Sequence, residues 1–248
     1  FQRGIAIFPN NDVKYDNNKI RAHTYASDTG KQITYVKAID KASSQTLRER
    51  PEAALKAEKK KWLTRHDREC GDLYGMLPLV EGMPVMLTDH VDRNPEKNLL
   101  RGRIGWIRSW ELGDNEKSRN GGSRRSLTKL PKAVYVKFMV EKEGKLVDPE
   151  WKVGSLEPGV YPIVPQRSEW FLDKGRVHPM LSVTRWQLPL APGFAITTHA
   201  SQGQTLEAAI VDIQIGKGTS PISSYVAITR VKRRERLLIY RPFDRDLF

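Results

Sequence analysis

Cysteine is nearly missing from this sequence: Cys70 is the only one in 248 residues. That excludes an internal disulfide and any multi-cysteine zinc site, and it suits a reducing compartment, nuclear or cytoplasmic, with a mitochondrial one also admitted. The five histidines are scattered and show no metal-ligand spacing. Long apolar runs are missing too. The best, residues 133–138 and 188–196, are interrupted by a lysine or by two prolines and fall far short of the roughly 20 residues that span a bilayer. No membrane partner is expected. The chain opens Phe1-Gln2-Arg3-Gly4, without an initiator Met or a signal-peptide pattern, so the expectation is a piece cut from a longer protein. There is no internal repeat. Nor is there a Gly-x-x-x-x-Gly-Lys-Ser/Thr phosphate loop: Thr29-Gly30-Lys31-Gln32 lacks the earlier glycine and the final hydroxyl. No acidic pair ends an apolar strand in the manner of a magnesium-binding element.

What is present is positive charge. Lys and Arg number 42 against 29 Asp and Glu, a net +13, and such an excess draws polyanions through phosphate neutralisation and counterion release. Nucleic acid is the leading partner. Runs such as Lys59-Lys60-Lys61 and Arg233-Arg234 are equally readable as solvated faces. A hydrophobic content of 39% is enough for a packed core.

The pattern along the chain is α/β at both ends. Ile5-Ala6-Ile7-Phe8 reads as a strand, Pro9-Asn10-Asn11-Asp12 as a turn, and residues 13–20 as the start of a helix capped by Asn or Asp. Residues 43–68 predict a largely exposed helix, with Pro51 early and Leu47, Ala54, Leu55 and Trp62 on one face. From Leu77 the chain turns to short β-type runs at 85–88, 104–107, 134–138 and 161–164, which suggest a small β-barrel. Residues 113–125 between them are polar and read as a mobile loop. After Arg185, strands are expected at 194–197, 209–213 and 237–240, with helices starting near Thr205 and over 223–229. One α/β domain made from both chain ends, interrupted by a β-insertion, is the simplest architecture.

Two segments carry chemistry. Thr197-Thr198-His199-Ala200-Ser201-Gln202-Gly203-Gln204-Thr205 places hydroxyls, an imidazole, carboxamides and a glycine between a buried strand and an expected helix start. Glycine allows close backbone approach, and free N–H groups with Ser201 and Thr205 hydroxyls can donate to phosphate oxygens. The same residues also suit a plain capping turn. The second segment, Ser223-Ser224-Tyr225-Val226-Ala227-Ile228-Thr229-Arg230, ends a packed helical turn on an arginine. Its planar fork suits a phosphate, or a surface salt bridge. Trp106, Trp110, Trp151, Trp170 and Trp186 are candidates for base stacking, against the ordinary fate of tryptophan in a core.

Taken together and in this order, the two segments resemble motifs V and VI of superfamily 1 helicases of the Pif/RecD type. The family pattern is met at Ala195, Thr197, His199, Ser201, Gln202, Gly203 and Thr205, then at Tyr225, Val226, Ala227, Thr229 and Arg230. Gly82-Met83-Pro84-Val85-Met86-Leu87-Thr88 with Leu100-Arg101-Gly102-Arg103-Ile104-Gly105 is similar to the strand pair opening the family's SH3-like 2B domain, and Phe8-Pro9-Asn10-Asn11-Asp12-Val13 is similar to motif IV. The resemblance implies a RecA-like P-loop-NTPase-type domain 2A over 1–76 and 186–248, with an SH3-like β-barrel 2B inserted at 77–185. It implies an ATP-dependent DNA helicase that translocates 5′ to 3′ on single-stranded DNA and acts at DNA forks. Thr197, His199, Ser201, Gln202 and Thr205 would contact DNA. Gly203, Gln204 and Arg230 would face ATP, with Arg230 as the catalytic residue. ATP and Mg2+ would be held mainly by an N-terminal RecA-like domain that this chain lacks, so the chain alone is expected to be inactive. Ala200 stands where the family has a lysine. That departure, with the missing phosphate loop, keeps open a degenerate, non-catalytic nucleic-acid-binding protein; a plain SH3-type interaction module is a second rival.

Overall fold

A computed structural model describes residues 4–50, 52–114, 116, 119–142, 145–214 and 222–244. By packing the chain divides into two units, 1–23 with 193–248, and 24–192. Residues 24–76 therefore group with the middle of the chain.

The first unit is built on a four-stranded sheet in the order Ala195–Thr197, Ile5–Phe8, Ala209–Val211, Leu237–Ile239. Every pairing is parallel, with Phe8 beside Thr197, Ile7 beside Val211, and Val211 beside Ile239. Parallel neighbours cannot be joined by tight turns, so each link must cross over the sheet. Ile7, Phe8, Ile196 and Val211 are fully buried, as near-continuous apolar strands of a covered parallel sheet should be. The helix after the first strand runs Asn11–Asp28, its last residues falling in the second unit. The Asn10 carboxamide oxygen accepts from the Asp12 N–H at 2.8 Å and starts it. Tyr15, Asn18 and Ala22 form its buried face. It extends well beyond residue 20 because no Gly or Pro intervenes before Gly30, whose φ of 64° ends it.

The expected helix near Thr205 does not form. Leu206 instead bridges Val231 in parallel, and its N–H donates to the Arg230 carbonyl at 2.8 Å. Only two residues then remain before the strand Ala209–Val211, too few for a helical turn. A short 3-10 turn, His199–Ser201, is the one helical piece of that loop among the described residues.

In the second unit a five-stranded antiparallel sheet has the order Val160–Ile163, Ala133–Lys137, Ile104–Glu111, Pro84–Leu87, Leu190–Pro192. The sheet is open, and no closed barrel forms among the described strands. Its two edge strands carry Pro162 and Pro192, which have no N–H to extend a ladder. A three-stranded sheet joins Gln166–Phe171, Ser182–Gln187 and Ile39–Ala42. A further sheet pairs Met76–Leu79, Ile33–Lys37, Arg124–Ser126 and Arg119–Gly121. Part of the polar stretch 113–125 is therefore a hairpin rather than a loop, since Gly122, at φ 60°, closes a tight turn and Arg124–Ser126 docks beside Ile33–Lys37. Positions 115, 117 and 118 of that stretch lie outside the described residues.

The helix expected over 43–68 is divided into Ser44–Glu49 and Glu52–Trp62. Arg50 is extended at the break, as a residue preceding proline tends to be; Pro51 itself lies outside the described residues. Leu55 and Trp62 enter the core while Leu47 and Ala54 are exposed. In that core the Trp62 and Trp170 rings meet edge to face at 5.5 Å, with Cys70 and Val183 beside them. Arg185, fully buried, forks onto Asp40 with two 2.7 Å hydrogen bonds and donates to the carbonyls of Leu73 and Trp62.

Candidate functional site

The strand Ala195–Thr197 is held at the sheet edge by a side chain. Asn18, fully buried, accepts from the Ala195 N–H at 2.8 Å and donates to its carbonyl at 3.1 Å. Its carboxamide thus does the work of a missing neighbouring strand. Where this strand ends, the Thr198 N–H donates to the Phe8 carbonyl at 3.0 Å. The loop therefore starts at the carboxyl end of two adjacent parallel strands, where open α/β sheets place their ligands.

Within the loop the hydroxyls of Thr197 and Ser201 have internal work. Thr197 Oγ1 accepts from the Ala200 N–H at 3.2 Å, and the fully buried Ser201 hydroxyl donates to the Thr198 carbonyl at 2.7 Å. His199, Gln202, Gly203 and Thr205 are exposed. Gly203 has φ 74° with open space around it, which lets the chain turn there and leaves its backbone accessible. Gln204 ties the loop across itself, its side-chain N–H donating to the Ala200 carbonyl at 2.7 Å.

The far end of the loop meets Arg230. This arginine follows the helix Ile222–Ile228, which is pinned to the sheet by the buried Ser224 hydroxyl donating to the Ile213 carbonyl at 3.1 Å. The Arg230 guanidinium donates to the Val226 carbonyl at 2.8 Å, to Thr229 Oγ1 at 2.9 Å and to the Gln204 carbonyl at 3.4 Å. Among the described residues, three of its five N–H donors are thus engaged and the fork is held in place, leaving two for an anion. One short loop therefore carries four of the residues expected at DNA, Thr197, His199, Ser201 and Gln202, ahead of Gly203 and Gln204, expected at the nucleotide, with Thr205 following them and Arg230 meeting the loop at Gln204. Asp212, buried at the end of the strand Ala209–Val211, pairs with Arg241 at 2.9 Å.

Asn18 is the residue that sequence pattern misses, its one signal being a carboxamide in the face set by Tyr15 and Ala22. Ser224 belongs to the second segment, but nothing in that segment tells that its hydroxyl is buried against the Ile213 carbonyl. The loss of the helix after Thr205 removes a helix N-terminus as an anion donor, leaving exposed side chains and the Gly203 backbone. Among the tryptophans, Trp170 is buried. Trp151 packs on Tyr161 with centroids 6.5 Å apart. Trp106 and Trp110 are half-buried on the strand Ile104–Glu111, and Trp186 is half-buried on Ser182–Gln187. Among the described residues no group of three His, Cys, Asp or Glu could hold a metal, and no helix is long and apolar enough to cross a membrane.

No protein-family model matches the chain. A curated relative, the ATP-dependent DNA helicase Pif1 of Psychrobacter sp. (strain PRwf-1), is 35% identical over 89 residues, which are 34% of this chain and 12% of that protein. The Pif1 helicase of Candida albicans has the same fold over 99% of this chain and 47% of its own, with a TM-score of 0.58 and 18% identity. The Pif1 helicase of Bacteroides in complex with ADP-AlF3 and single-stranded DNA matches 98% of this chain and 41% of its own, with a TM-score of 0.52 and 18% identity. The chain thus spans less than half the length of these crystallised helicases. The chain is thus similar in sequence to a Pif1 helicase over 89 residues and shares the fold of the crystallised Pif1 helicases over nearly its whole length.

Proposed function

We propose that the chain is the C-terminal part of an ATP-dependent DNA helicase that translocates on single-stranded DNA and unwinds duplex at forks. The observation that carries this is the joined geometry of loop 197–205 and Arg230, in which the Gln204 carbonyl and the Leu206 N–H both meet that arginine. In this reading the parallel sheet is the centre of a RecA-like domain 2A, formed from 1–76 and 186–248, and the antiparallel strands of 77–185 are its SH3-like 2B insertion. ATP would sit mainly on an N-terminal RecA-like domain outside this sequence, with Mg2+ held there as well. When bound, the nucleotide supplies the cleavable phosphoanhydride. Arg230 offers its two remaining N–H donors to the γ-phosphate, neutralising charge that grows in the transition state. Gly203 and Gln204 line the nucleotide side of the loop. Thr197 and Ser201 set the loop's shape, while His199, Gln202 and Thr205 present donors to the DNA backbone. A change in the grip on either ligand is transmitted through fewer than ten residues.

In the complete protein, Arg230→Ala should lower ATP turnover by on the order of 10³ and leave single-stranded DNA binding intact. ATP hydrolysis at the parent rate would overturn the assignment. Ala200 favours a second reading, a degenerate DNA-binding protein without motor activity, because it removes the family's cation from the loop. A phosphate loop upstream in the parent reading frame decides for the motor, and its absence decides for the degenerate form.

A further inference from the structure

The three-stranded sheet of the second unit has one face in the core and one in solvent. Trp170, Val183, Arg185 and Ala42 point inward and are buried. The other face reads across the strands as Arg167, Trp186, Ile39 in one row and Glu169, Thr184, Lys41 in the next, with Phe171 opposite Ser182 beyond. Arg167, Glu169 and Lys41 are exposed, Ile39 keeps 49% of its surface, and Trp186 is half-buried. Outward positions of such sheets are normally polar. An indole between an arginine and an isoleucine is not what solubility selects there.

From this juxtaposition we infer that the outer face of the sheet formed by Gln166–Phe171, Ser182–Gln187 and Ile39–Ala42 is a second binding surface for single-stranded nucleic acid, separate from loop 197–205. Neighbouring strands lie about 4.8 Å apart, so Arg167 flanks the indole directly and Lys41 sits one row along on the strand of Ile39. Trp186 stacks on an unpaired base, and the two cations take the phosphates on either side. Phe171 lies about 13 Å further along the strands, too far for one base to touch both rings, and serves a later base. Duplex gains little here, because its base faces are already stacked. Glu169 is the single carboxylate among the outward residues of these rows and opposes the polyanion. This inference takes its partner class from the motor reading but not its site.

The test uses the 248-residue chain, a fluorescein-labelled oligothymidine and anisotropy titrations over a range of salt. Trp186→Ala should weaken binding about tenfold, and Trp186→Phe should recover most of that loss. Glu169→Lys should tighten binding and steepen the dependence of log K on log salt by about 0.7. Both effects should persist in a Gln202→Ala background, which isolates them from the loop. Parent affinity in a folded Trp186→Ala chain overturns the inference, as does a loss that Trp186→Phe fails to recover. A Glu169→Lys chain with unchanged affinity and slope also overturns it. The motor reading stands or falls on ATP turnover in the complete protein, so the two failures are distinguishable.

Discussion

Ser201 and Gln202 stand side by side in the loop and do different things. The Ser201 hydroxyl is buried and donates to the Thr198 carbonyl at 2.7 Å, whereas Gln202 is exposed. Ser201→Ala should therefore cost about 1 kcal/mol of stability through the lost internal bond, read as a lower urea midpoint. Gln202→Ala should leave the midpoint in place and weaken DNA-stimulated ATP hydrolysis in the complete protein. A Ser201→Ala chain with parent stability would show that the hydroxyl is free for DNA after all. At this scale the sequence discloses which residues belong to the loop but not which way each hydroxyl faces. A Ser in a polar turn reads the same whether it caps the turn or meets a ligand, and the choice is made by Thr198 holding onto Phe8 across the sheet. Asn18 is the reverse case, a polar residue whose place on an apolar helix face marks it for a buried partner, though not which one.

At the scale of elements, strands at the chain ends were readable because Ile5–Phe8, Ala195–Thr197 and Leu237–Ile239 are short apolar runs set off by turn residues. The helix expected near Thr205 does not form because local propensity loses to a distant partner: Leu206 is claimed by Val231, 25 residues on. The stretch 113–125 departs from a loop for a similar reason, its polar Arg124–Ser126 strand gaining order from Ile33–Lys37. Gly203 controls the loop as an element. Its φ of 74° lies in the left-handed region, and no atom of the described residues would meet an added Cβ, so the cost of a side chain is conformational. Gly203→Ala should destabilise by about 1 kcal/mol, and Gly203→Asn by less, because Asn tolerates that conformation better. Thermal melts of both variants check the order. Equal midpoints for Ala and Gly would mean that the loop relaxes to another turn.

At the scale of the whole molecule, the core of the second unit contains an ion pair that sequence pattern cannot announce. Arg185 and Asp40 lie 145 residues apart and meet in the interior at 2.7 Å. Removing one partner leaves a buried charge without its counterion, so Arg185→Met should destabilise by roughly 3–5 kcal/mol. Cys70 reports on the same core. Burial pushes its thiol up to about 11, an effect the nearby Arg185 partly offsets. Because this folded value lies above the unfolded one, near 9, the stabilisation from keeping the thiol protonated is whole below pH 9 and is lost as pH rises through about 11. The folded thiol is therefore nearly inert to iodoacetamide at pH 8, and labelling proceeds through opening of the core. Arg185→Met sets two effects against each other. Loss of the cation raises the thiol further and slows local attack, while loss of stability multiplies the open population. A change of 3–5 kcal/mol corresponds to roughly 10² to 5 × 10³ in that population, which outweighs any local effect. Labelling of Cys70 should therefore accelerate by about that factor in Arg185→Met, with the acceleration abolished in an Arg185→Met, Asp40→Leu double variant that removes the orphaned carboxylate. Slower labelling in the single variant would mean that the cation governs the thiol locally and that the pair contributes little to holding the core shut.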